Sequence, residues 1–179
     1  MDFTTRHSGH EAEIIALFTD TFSASEGAAE GQLIGKLVTD MFATVDGRDM
    51  IVVCAQDGGP LIGSIIFTRM TYAEDARTVF ILSPVAVAPD YQRKGVGQSL
   101  LRHGLGVLRE TGVDVVLTYG DPAYYSKVGF NQITEETAQA PAPLSYLHGW
   151  LGQSLTGKAL EPLKGPSRCV PALSDPAYW

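Results

Sequence analysis

Gln92-Arg93-Lys94-Gly95-Val96-Gly97 is a run of residues suited to holding an anion. It lies between an apolar stretch, Val79 to Ala88, and a stretch of helical periodicity from about Gln98 to Arg109. Two glycines one residue apart, entered from a strand and leading into a helix, let the backbone turn sharply and aim several N–H groups at one point. Those donors, with the positive end of the helix dipole, favour a phosphate. Arg93 and Lys94 add positive charge where a diphosphate would lie.

The spacing narrows whose phosphate this is. A Walker loop needs Gly, four residues, then Gly-Lys-Ser or Gly-Lys-Thr. Here the lysine precedes the first glycine. A dinucleotide fingerprint needs Gly-x-Gly-x-x-Gly on the first strand-helix unit. Gly95-x-Gly97 is followed by Leu100 and lies past mid-chain. Taken alone, the run also reads as an ordinary helix entry with a solvated Arg-Lys pair.

The wider context favours a ligand. The run Ser83-Pro84-Val85-Ala86-Val87-Ala88-Pro89-Asp90-Tyr91-Gln92-Arg93-Lys94-Gly95-Val96-Gly97-Gln98-Ser99-Leu100-Leu101 resembles the acetyl-CoA signature of the GNAT N-acetyltransferase superfamily. That signature ends a strand, then reads Gln or Arg, two residues, Gly, one residue, Gly or Ala. Downstream, Tyr125-Ser126-Lys127-Val128-Gly129-Phe130 resembles the family's Tyr-x-x-x-Gly-Phe element. Gly120-Asp121-Pro122-Ala123-Tyr124-Tyr125 is similar to a predicted-acetyltransferase branch often called YhbS-like. The resemblance spans about Met50 to Phe130.

That resemblance implies an α/β (α+β) fold: a mixed, mostly antiparallel central sheet flanked by helices, with a bulged CoA-binding strand. It implies acetyl-CoA as co-substrate, with its pyrophosphate on the backbone N–H groups of Arg93, Lys94, Gly95, Val96, Gly97 and Gln98, next to Gln92. The pantetheine arm would pair with Val85, Ala86 and Val87, and an N–H near Val85 would steady the oxyanion. A strand that leaves its neighbour to receive a ligand needs a distortion, and Ser83-Pro84 suits one because proline donates no ladder bond. Tyr125 occupies the position where the family commonly places a tyrosine near the CoA sulfur. A phenol of reference pKa about 10, preorganised beside a thiolate of about 8.5, is a candidate proton donor. Asp121 departs from the asparagine that many relatives carry. The resemblance also admits a homodimer.

No general base declares itself. Glu26, Glu30 and Ser83 are candidates by position only. His7 and His10 lie three apart, but no Cys or carboxylate set completes a metal site, so no metal is expected. His103 falls opposite the leucines of its helix. His148 lies near Trp150, and Tyr146, His148, Trp150, Tyr178 and Trp179 offer amphipathic surface for an acceptor wall or a core closure.

The elements that must position these residues follow from periodicity. Asp2 to Arg6 reads as a strand, and Ser8-Gly9-His10-Glu11 as a capping box. A helix through Ile14, Ile15, Leu17, Phe18 and Phe22 is expected to break from Ser23 to Ala29. A second helix carries Leu33, Leu37, Val38, Met41 and Phe42 on one face. Met50 to Ala55 and Leu61 to Tyr72 form a hairpin around Asp57-Gly58-Gly59-Pro60. Arg77 to Ala88 is the next strand. Leu101, Leu105 and Leu108 mark the helix after the glycine loop, stopped by Gly112. Val113 to Thr118 is a strand, and Asp121-Pro122 opens a short helix closed by Gly129-Phe130. Ala138 to Trp179 is richer in Pro and Gly, with one expected strand, Leu144 to Leu147.

With 179 residues, one domain is expected, in which 138–179 is a C-terminal extension that completes the sheet or the acceptor site. A net charge of −7 argues against nucleic-acid binding and mildly favours a cationic partner. Met1-Asp2-Phe3-Thr4 has no basic region followed by an apolar one, no run approaches a membrane span, and the only cysteines are Cys54 and Cys169. A cytoplasmic protein with no membrane partner is expected. Two functions fit: direct acetyl transfer from acetyl-CoA to an amine of a small molecule or peptide, or a non-catalytic acyl-CoA-binding module on the same fold.

Overall fold

The computed structural model describes residues 1–179. In chain order its elements are β1 (Asp2–Thr4), α1 (Glu11–Glu26), α2 (Ala28–Thr44), β2 (Met50–Gln56), β3 (Leu61–Tyr72), β4 (Val79–Val87), α3 (Val96–Glu110), β5 (Val115–Tyr119), α4 (Pro122–Tyr125), β6 (Asn131–Gln132), β7 (Trp150–Ser154) and β8 (Ser167–Arg168). The strands form one sheet in the order β1-β2-β3-β4-β5-β7-β6, with β8 paired to β3 off that path. β4 and β5 run parallel, joined through α3, while β1–β2, β5–β7, β6–β7 and β3–β8 are antiparallel. The mixed, mostly antiparallel sheet flanked by helices is therefore present. No helix is long and apolar enough to cross a membrane.

Contacts divide the chain into two compact units, Met1–Phe67 with Pro84–Gly104, and Thr68–Ser83 with Leu105–Trp179. In the first, α1 buries Ile14, Phe18 and Thr21, and α2 buries Ile34, Leu37, Val38 and Met41. The helices pack closely because α2 presents glycines to α1. A Cβ on Gly31 would lie 1.8 Å from Ser23 Oγ and 2.5 Å from the Thr19 carbonyl oxygen, and one on Gly35 would lie 2.2 Å from Thr19 Oγ1. The expected break from Ser23 to Ala29 shrinks to one residue, Gly27, at φ 101°. Ser and Ala continue a helix at little cost, so only the glycine interrupts it. The capping box is also corrected. His10 N–H donates to the His7 carbonyl, closing a turn that sets His10 at the cap without a side-chain cap bond. The Glu11 carboxylate instead accepts from Gly9 N–H at 2.8 Å.

In the second unit β5 is buried from Val115 to Thr118 and lies between β4 and β7. The strand expected at Leu144 to Leu147 is absent, and the strand of this region is Trp150–Ser154. Pro141 and Pro143 remove ladder donors just before Leu144, and Leu147 is exposed. Trp150–Ser154 instead pairs with all of β5, from Tyr119↔Trp150 to Val115↔Ser154. Farther along, Arg77 clips residues 161–162 in place: its guanidinium donates to the carbonyls of Glu161 and Pro162 at 2.9 and 2.8 Å and to Asp75 at 2.9 and 2.7 Å.

Candidate active site

In the first unit β4 ends at Val87, with Ala86 and Val87 buried and Val85 half-buried. A single 3-10 turn, Pro89–Tyr91, follows with proline at its first position. Gln92 then bends back, and its side-chain amide donates to the Val87 carbonyl at 2.9 Å. That bond ties the loop to the strand end, so the Gln92 amide is engaged within the protein.

The next residues alternate in hand. Arg93 has φ 59° and Gly95 φ 82°, and Arg93 is the one non-glycine residue in the chain with positive φ. Holding a residue with a Cβ in the left-handed region costs about 1–2 kcal/mol. Alternation of this kind turns successive N–H groups toward one side and makes a concave anion seat. Ser99 N–H donates to the Gly95 carbonyl at 3.0 Å, the first bond of α3. The N–H groups of Gly95, Val96, Gly97 and Gln98 are thus the four that the helix leaves without internal acceptors. Val96 is buried, while Arg93, Lys94 and Gly95 are exposed. Lys94 Nζ stands 5.5 Å from the centre of the Tyr91 ring. Backbone donors, helix dipole and two cations coincide at one loop.

In the second unit, the β4–β5 register runs from Val79↔Val115 to Leu82↔Thr118 and stops there. β4 itself continues to Val87, so its pairing with β5 ends one residue before the Ser83-Pro84 step. Thr118 closes the ladder: fully buried, its hydroxyl donates to the Leu82 carbonyl at 2.9 Å. Sequence reading passed over Thr118, because a threonine in an apolar strand run carries no distinguishing signal. Asp121 caps α4 by accepting from Ala123 N–H at 2.9 Å. That cap gives Asp121 a structural use.

Tyr125 ends α4. Its ring meets Tyr124 and Phe130 edge-on, with centroids 5.1 and 5.7 Å apart. It also covers Gly120, where a Cβ would lie 2.7 Å from Tyr125 Cε2. Burial pushes the phenol well above its ordinary pKa; the charges of Tyr124 and Asp121 push the same way, and a hydrogen bond with Thr118 opposes them. Tyr125 therefore keeps its proton across the physiological range, and Thr118, which ends the β4–β5 ladder, has its own hydroxyl proton committed to the Leu82 carbonyl.

The remaining candidates are dispersed. Glu26 is exposed at the end of α1, Glu30 is half-buried in the first turn of α2, and Ser83 is half-buried. His103 stacks on Phe3 at 4.9 Å, His7 on Phe42 at 5.7 Å, and His148 lies edge-on to Tyr146 at 5.9 Å. No group of three or more His, Cys, Asp or Glu side chains is placed to hold a metal ion. Trp150 is fully buried, donates through Nε1 to the Ala138 carbonyl at 2.8 Å and packs edge-on against Trp179. It closes the core, as does Trp179, whose Nε1 donates to the Leu173 carbonyl at 2.8 Å.

Known proteins resemble this chain in sequence and in fold. Residues 47–132 match the acetyltransferase (GNAT) domain family. The chain is 35% identical over 146 residues to the uncharacterized N-acetyltransferase YjhQ of Escherichia coli (strain K12), across 79% of this chain and 78% of that protein. Its fold is similar to that of the GNAT family N-acetyltransferase YhbS from Escherichia coli, solved in complex with CoA. That match has a TM-score of 0.82 at 22% identity and covers 97% of this chain and 92% of that one. A GNAT family acetyltransferase from Brucella melitensis, solved with acetyl-CoA, matches with a TM-score of 0.74 at 22% identity, across 96% of this chain and 97% of that one.

Proposed function

Because the chain belongs to the GNAT acetyltransferase family, we propose that it transfers an acetyl group from acetyl-CoA directly to an amine of a small molecule or peptide. The observation that carries this reading is the loop of alternating hand at Arg93 and Gly95, leading into the free N–H groups of α3. Such a seat suits a pyrophosphate. Bound acetyl-CoA supplies an activated acetyl thioester.

The protein's own groups then divide the work. The N–H groups from Arg93 to Gln98 hold the pyrophosphate, with Arg93 and Lys94 adding charge. Val85 to Val87 offers a backbone edge to the pantetheine arm, and the N–H near Val85 steadies negative charge on the carbonyl oxygen. Tyr125 faces a thermodynamic limit. A phenol raised above its ordinary value of about 10 does not fully give its proton to a thiolate of about 8.5. Its role is therefore to donate a hydrogen bond to the sulfur as charge builds there. The proton that the amine nitrogen sheds ends on the sulfur and balances the reaction.

Two measurements test the reading. Acetyl-CoA and CoA should raise the melting temperature, because a ligand that binds only the folded state stabilises it, and ATP and NAD should do much less. Equal protection by ATP would make the loop a general nucleotide seat. Thiol release from acetyl-CoA should appear with some member of a panel of amines, aminoglycosides and peptides. Protection by acetyl-CoA with no release across the panel would leave a non-catalytic acyl-CoA-binding module.

A further inference from the structure

Between β6 and β7 the chain leaves the sheet and returns to it, enclosing a cleft of about 360 Å³. Ile133, Leu144, Leu147 and Trp150 give it an apolar lining, and Glu135 and Glu136 stand in its wall. The same two glutamates border a second cleft, of about 580 Å³, that also touches Gln139 and Leu163. Both volumes fall in the range of about 300–1,000 Å³ usual for small-molecule sites.

Exposure marks this segment as well. Leu147 is 66% and Tyr146 51% exposed, and with Met1 they are the large hydrophobic side chains left in water. Isolated exposed hydrophobics are ordinary, but two in sequence beside an apolar cleft form a contact surface. The cleft also adjoins the Tyr125 end of β5. Trp150 pairs with Tyr119, and Gly120 N–H donates to the Gly149 carbonyl at 2.9 Å. Gly120 is the residue covered by the Tyr125 ring.

Two carboxylates beside an apolar cleft select a cation joined to an apolar group, and a net charge of −7 draws the same kind of molecule from a distance. A nitrogen held by carboxylates stays protonated, since a neighbouring negative charge favours the charged form. A nitrogen that attacks a thioester must be neutral. One nitrogen cannot do both at once. Resting on the acetyltransferase reading above, we infer that this cleft takes the far end of the acceptor, an apolar segment ending in a second cation. The acceptor class is then an amphipathic diamine, with one nitrogen recognised at Glu135 and Glu136 and the other acetylated.

The test is calorimetric titration of the CoA-saturated protein with 1,8-diaminooctane, octylamine and 1,3-diaminopropane, alongside thiol release from acetyl-CoA with each. The long diamine should bind about two- to fivefold more tightly than octylamine, within the range for an exposed charge pair. The short diamine, lacking the apolar arm, should bind more weakly than either. In a Glu135→Gln, Glu136→Gln double variant the advantage of the long diamine should fall to about onefold. Glutamine still accepts the Ala140 N–H that Glu135 binds at 3.3 Å, and protection by acetyl-CoA reports that the variant is folded. Leu147→Ser should weaken both long amines together. A diamine advantage that is absent, or that survives the double variant, overturns the assignment even where thiol release proceeds. Charge-dependent binding without thiol release would overturn the diamine as acetyl acceptor, and the acetyltransferase reading itself falls only if the wider panel of amines, aminoglycosides and peptides also releases none.

Discussion

The loop from Gln92 to Gly97 and the end of β5 from Thr118 to Phe130 are built on opposite plans. The loop works through its backbone. Its side chains at Arg93 and Lys94 are exposed, and its shape depends on two residues of positive φ. The β5 end works through side chains: Thr118 is fully buried, the Tyr125 ring lies against Tyr124 and Phe130, and Gly120 leaves that ring its room. A site made of backbone tolerates changes of side chain that keep φ and ψ. A site made of packed side chains does not.

The largest expected effect lies on the packed side. Trp150→Ala should cost about 3–5 kcal/mol, as truncation of a buried aromatic does. That lowers the melting temperature by about 6–20 °C in a chain of this size. Differential scanning calorimetry measures it, and a small shift would break the contrast, because Trp150 would then not be core.

Tyr125→Phe comes next. Losing a hydrogen bond to developing charge costs about 1.5–3 kcal/mol, so kcat should fall about tenfold to a hundredfold with little change in the KM for acetyl-CoA. The sign of the pH effect follows from the raised phenol. Its protonated form persists above the ordinary value of about 10, so parent and variant profiles should run parallel from about pH 6 to 9. Profiles that converge at alkaline pH within that window would show Tyr125 ionising there and would overturn the assignment of cause.

Thr118→Val keeps the shape and removes the hydroxyl. It leaves the Leu82 carbonyl without its donor at a cost of about 1–2 kcal/mol, and it should lower kcat more than it raises KM. Thr118→Ser should restore most of both. If serine fails to rescue, the methyl packing matters and the hydrogen bond does not.

The smallest effect sharpens the other side of the comparison. Arg93→Gly should raise stability by about 1 kcal/mol by relieving the left-handed strain, while CoA affinity falls only by the lost charge and its salt dependence weakens. A collapse in affinity on that change would mean that the guanidinium, and not the backbone, holds the phosphates.

The same contrast explains what the sequence revealed. The glycine loop, the β2–β3 hairpin and the Asp121-Pro122 helix start were legible because backbone conformation restricts residue type: glycine where φ is positive, breakers at a tight turn, proline in a first turn. Thr118 was not legible, since its meaning comes from Leu82, 36 residues away. β7 was hidden by Gly152 within a five-residue strand, and tertiary pairing with β5 overrides that weak local preference. Trp150 read as pocket wall or as core, because the same amphipathic ring serves either until its neighbours are known.

The glycines at 31 and 35 have a mechanical consequence. The glycines leave room for the Thr19 and Ser23 side chains of α1, and at Gly31 for the Thr19 carbonyl as well, where a weak Cα–H contact becomes available. Neither helix can roll or slide without driving these side chains into the facing backbone. The pair should therefore behave as one stiff unit, folded back on itself at Gly27, and its amide protons should exchange with solvent in a single cooperative step.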